Sequence, residues 1–157
     1  MVETPEQMAA RNPSLQDAAR LVAAGELGQL ESACKELLFA NPTNAEALFW
    51  TGVIAAERRE FSTAIKQLQA ATAVRPERPD YQAQLARCLV GAKQTQTALA
   101  AADKAMALQP TDAVTLDTIG VVYSFTGFHD KAVPAFEAAV KIAPDNDAFW
   151  FGRKTPV

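Results

Sequence analysis

Residues 113–146 read AVTLDTIGVVYSFTGFHDKAVPAFEAAVKIAPDN, with Pro144 third from the end. Prolines recur at intervals of 34 residues before it, at Pro110, Pro76 and Pro42. A fixed period of this length is the signature of a helical repeat array. It defines blocks 11–44, 45–78, 79–112 and 113–146, with no insertion or deletion. Other positions keep the same register. Block position 8 holds Ala18, Gly52, Ala86 and Gly120; position 20 holds Leu30, Ala64, Ala98 and Ala132. Position 27 holds Leu37, Ala71, Ala105 and Ala139, and position 24 holds Cys34, Leu68, Ala102 and Phe136.

Each residue type has a physical reason. Small residues at positions 8, 20 and 27 let two antiparallel helices approach closely, and bulkier neighbours such as Leu85, Ile119, Leu68 and Phe136 fill the space beside them. Proline lacks an N–H and clashes with continued helix, so each one ends a second helix and starts a turn. Thr43 to Glu46 reads T-N-A-E, the pattern of a capping box opening the next helix; Ser14 to Asp17 is a weaker version. Gly25 and Gly127 suit a helix–helix turn, while Arg59 and Lys93 stand at the same block position, where the turn manages without glycine. Pro134 falls early in a second helix, at small cost if it lies in the first turn.

These residues resemble the tetratricopeptide repeat. Its pattern has a large apolar residue at position 4, Leu at 7, Gly or Ala at 8, an aromatic at 11, Ala at 20, an aromatic at 24, Ala at 27 and Pro at 32. The last block matches best, through Leu116, Gly120, Tyr123, Ala132, Phe136, Ala139 and Pro144. The first departs at Asp17, Leu30 and Leu37 and reads as a degenerate N-terminal cap. The resemblance covers 136 of 157 residues and implies an all-α fold, a right-handed α-solenoid of antiparallel helix hairpins. The expected organisation is an N-terminal segment 1–10, one domain of four repeats over 11–146, and an incomplete fifth helix or tail over 147–157.

Composition excludes several functions. Hydrophobic residues make up 49% of the chain, and no stretch shows the alternation of a half-buried strand. The N-terminus lacks a basic region followed by an apolar run, so it is not read as a secretory signal. No apolar stretch is long enough to span a bilayer. Cys34 and Cys88 form no C-x-x-C and are expected to be buried, reduced and structural. Together these features favour the cytoplasm. The net charge of −3, with basic residues interspersed among acids, argues against a nucleic-acid partner. His129 is the single histidine, so a two-histidine metal site is impossible, and surface or packing work is expected of it. Phosphate-binding loops and a nucleophile elbow are missing. The chain reads as a non-enzyme without cofactor or metal.

Function is then expected on a groove. The resemblance implies that positions 2, 5, 9, 12 and 13 of each first helix face a concave surface. In the first block these include Leu15 and Val22, and in the second Glu46, Phe49, Val53 and Glu57. In the third they include Arg87 and Val90, and in the fourth Val114, Asp117, Val121 and Phe125. This largely apolar floor suits the apolar face of a helix or an extended peptide, with Arg87 and Asp117 fixing its orientation. Chaperone-binding members of the family hold a C-terminal carboxylate in a clamp of cationic and amide side chains. The matching positions here are Phe49, Val53, Gln84, Val114 and Thr118, or Leu15, Ala19, Trp50, Asp80 and Gln84, and neither set contains a cation.

After Pro144 a fifth first helix starts, with Trp150 at the large apolar position, and stops. Phe149, Trp150 and Phe151 are expected to mediate self-association, as a homodimer, or to meet a further domain. Phrases such as NAEALFWTGVIAAERREF and DYQAQLARCLVGAKQ are similar to the N-terminal repeats of bacterial proteins in which tetratricopeptide repeats are fused to sulfotransferase domains. Three functions follow: an interaction scaffold with a peptide groove, an accessory region of a larger enzyme such as a sulfotransferase, or a self-assembling module.

Overall fold

The computed structural model describes residues 15–144. The segment 1–10, the start of the first block with Ser14, and the tail with Phe149, Trp150 and Phe151 lie outside the described residues. The chain divides between Val74 and Arg75 into two compact units. In the first, a 3-10 turn at Leu15–Asp17 leads into α1 (Ala18–Ala23), followed by α2 (Leu27–Ala40), α3 (Ala45–Glu57) and α4 (Phe61–Val74). The second contains α5 (Pro79–Gly91), α6 (Thr95–Ala107), α7 (Ala113–Phe125) and α8 (His129–Ile142). The described residues are all-α, a succession of helix hairpins.

Helix ends recur at the interval of the prolines. Helices α3, α5 and α7 begin at Ala45, Pro79 and Ala113, and α2, α4, α6 and α8 begin at Leu27, Phe61, Thr95 and His129. Inside each hairpin the turn is the same Schellman motif. The N–H of Gly25, Arg59, Lys93 and Gly127 donates to the carbonyl three residues back, and the next N–H reaches five residues back. All four residues hold positive φ: 76° and 89° at Gly25 and Gly127, 59° and 63° at Arg59 and Lys93. The two non-glycine turns therefore manage by adopting the left-handed conformation, which side chains resist.

The helix starts correct one expectation. The T-N-A-E segment does not cap through Thr43. The N-cap of α3 is Asn44, whose side chain accepts from the Ala47 N–H at 3.0 Å. Thr43 is occupied elsewhere: its hydroxyl and its N–H both donate to Asn41 Oδ1, at 2.9 and 3.1 Å. Asp112 caps α7 in the manner of Asn44, accepting from the Thr115 N–H at 2.9 Å and from the Thr115 hydroxyl at 2.7 Å. At the corresponding residue of α5, Arg78, capping gives way to Pro79 in the first turn, which has no N–H to satisfy. The Arg78 guanidinium instead grips Asp80 in two bonds of 2.9 and 2.7 Å and lies over the Tyr81 ring at 4.8 Å.

A second correction concerns Pro134. It is the sixth residue of α8, beyond the first turn, so the helix lacks the bond from residue 134 to the Asp130 carbonyl. Both residues are solvent-exposed.

Within the hairpins, size is reciprocal across the contact. Gly52 faces Leu68, and Gly120 faces the Phe136 ring. At the corresponding positions of α5 and α6 stand Ala86 and Ala102, both fully buried. A core cluster in the first unit joins Ala18, Leu21, Leu30, Cys34, Ala47 and Ile54. In the second unit, Ala113, Leu116 and Ala139 pack with Met106 of α6 and Ala138 of α8. Both cysteines are free and buried, and burial pushes the Cys34 thiol up to about 11. Among the described residues, no helix is long and apolar enough to cross a membrane.

Candidate interaction surface

The first helices carry the residues expected to contact a partner, and the two units place them differently. In the first unit Leu15 and Val22 are half-buried against the core cluster. Phe49 and Val53 are buried, and Phe49 meets Trp50 edge-on with ring centroids 4.9 Å apart. Burial on that scale leaves these two side chains little surface for a ligand. Glu46 and Glu57, at the two ends of α3, are exposed. An exposed ion pair of this unit joins Arg58 to Glu31, holding the Glu31 carboxyl below its ordinary range through that hydrogen bond.

In the second unit α7 is the distinctive element. Nine of its thirteen residues are buried, because it packs on α5, α6 and α8. One stripe escapes. Val114, Val121 and Phe125 follow one another at helical spacing, on one face within a few tens of degrees. Val114 is 48% exposed, Phe125 is 74% exposed, and Val121 between them is half-buried. Asp117 is buried on the flank of this stripe. On α5, which packs against α7, Arg87 and Val90 are half-buried, and the Arg87 Nε donates to Gln84 Oε1 at 2.9 Å. His129 is exposed at the first residue of α8.

The junction between the two hairpins of this unit was not anticipated. The Tyr123 hydroxyl on α7 donates to Asp103 Oδ1 on α6 at 2.7 Å, and Lys131 Nζ on α8 approaches the same oxygen at 3.4 Å. The Lys131 ammonium also lies 5.5 Å from the centres of the Tyr123 and Phe128 rings. Burial, and then the acceptor carboxylate, push the Tyr123 phenol well above its ordinary range. The sequence held a signal for this: an aromatic with a polar tip at a packing position requires a partner.

Apolar side chains project from a rigid, internally packed helix, which supplies contact area at little ordering cost. Helical repeats of this class present such surfaces for binding.

Comparisons with known proteins agree with this construction. A tetratricopeptide repeat family model matches residues 54–113, and a second matches residues 114–146, together more than half of the chain. No curated protein matches it. Among solved structures, a thermophilic tetratricopeptide repeat protein of Thermus thermophilus is 19% identical, with 88% of this chain and 80% of that chain covered at a TM-score of 0.73. MamA from Desulfovibrio magneticus is also 19% identical, over 92% of this chain and 78% of that one, at a TM-score of 0.64. An O-GlcNAc transferase of Thermobaculum terrenum is 24% identical over 78% of this chain but only 23% of its own, at a TM-score of 0.66. Period, hairpins and family models converge: the chain belongs to the tetratricopeptide repeat family, whose helix hairpins serve as scaffolds for protein interaction.

Proposed function

We propose that the chain is a non-catalytic scaffold that binds a peptide or an amphipathic helix against the first helices of its hairpins. The observation that supports this best is the stripe of Val114, Val121 and Phe125. It leaves α7 exposed along one line while the rest of the helix is packed. An apolar helix face or alternate side chains of an extended peptide fit such a line, with Val90 and Arg87 on α5 beside it. Asp117 belongs to this proposed surface in the second unit; in the first unit Leu15, Val22, Glu46, Phe49, Val53 and Glu57 are proposed for the corresponding surface of its own first helices, the exposed glutamates as polar rim and the buried residues as support.

The test compares the whole chain with Val114→Asp and Phe125→Asp in capture of binding partners from native lysate. Phe39→Asp is the control, since Phe39 is 92% exposed and stands on a second helix, α2. The two α7 variants are expected to lose the captured protein at unchanged thermal stability, and the Phe39 variant to retain it. Equal capture by all three would defeat the reading.

A second reading makes the repeats an accessory region of a larger enzyme, such as a sulfotransferase. The O-GlcNAc transferase supports it as a precedent, because the similar region makes up under a quarter of that chain. An antibody against the repeats, used on native cells, would then detect a species far larger than 157 residues. Self-association through Phe149, Trp150 and Phe151 is a third proposal, tested by sedimentation before and after changing all three to serine.

A further inference from the structure

We draw no further inference here: the strongest candidate, the surface patch at the C-terminal end of α2 where Phe39 stands exposed beside Lys35 and Glu36, carries nothing because nothing in the structure shows what covers it.

Discussion

A β-carbon added to Gly120 would lie 2.7 Å from Cε1 of Phe136, so α7 and α8 touch where α7 has no side chain. Gly120→Ala is therefore expected to overpack the hairpin. Such insertions cost about 1–3 kcal/mol when the neighbour has to move. Urea unfolding should show the loss as a lower midpoint with an unchanged slope. In a Phe136→Ala background the same substitution should cost much less, because the pair then matches Ala86 and Ala102 of the neighbouring hairpin. A penalty of equal size in both backgrounds would place the strain elsewhere.

The hairpin turns make a prediction of opposite sign. Arg59 and Lys93 hold φ of 59° and 63°, where a β-carbon meets the following carbonyl. Glycine removes that clash but gives more freedom to the unfolded chain. The balance at such C-terminal caps favours glycine, by roughly 0.5–1 kcal/mol per site. Arg59→Gly and Lys93→Gly should each raise the melting temperature. Gly127→Ala should lower it by a similar energy through the backbone alone, since an added β-carbon there would meet nothing within 4 Å. A neutral Gly127→Ala would remove the basis for all three.

Pro134 sits inside α8 and deletes one intrahelical hydrogen bond. An interior proline costs a helix about 3 kcal/mol relative to alanine, reduced here because Asp130 and Pro134 are both solvent-exposed residues. Proline also restricts the unfolded chain, which offsets part of the cost. Pro134→Ala is expected to stabilise the protein by about 1–2 kcal/mol. Calorimetry showing a lower melting temperature would mean that proline fits the local curvature of α8 better than a regular turn does.

The fold was legible because its signals are periodic. The prolines, the small residues at Gly52, Ala86 and Gly120, and the turn residues at Gly25 and Gly127 repeat in register, so each supports the others. Non-periodic details were hidden. Asn44 rather than Thr43 caps α3 because Asn41 takes both the hydroxyl and the N–H of Thr43, a local competition that a motif does not resolve. The depth of Pro134 depended on where α8 begins, and helix boundaries are weakly encoded. The candidate surface was legible as a set of positions but not as a degree of exposure. Phe49 and Phe125 both lie on first-helix faces, yet the first is buried and the second stands in solvent.

Alkaline stability follows from two buried acids that are neutral in the fold. Burial raises the Cys34 thiol from 9.0 to about 11, and burial with the Asp103 hydrogen bond raises the Tyr123 phenol above its ordinary range. A group with a raised folded pKa keeps its proton in the native state after the unfolded chain has released its own. The folded state binds more protons over that interval, so stability falls as pH rises. The contribution is whole below pH 9, and the Cys34 share is lost progressively up to about pH 11. Tyr123 extends the decline further. Tyr123→Phe should cost about 0.5–1.5 kcal/mol near neutrality by removing the bond to Asp103, which keeps Lys131 as a partner. It should also flatten the alkaline limb of the stability curve. Unfolding measured from pH 7 to pH 12 checks both effects. An alkaline limb equally steep in Tyr123→Phe and in the parent chain would show that the phenol does not carry it.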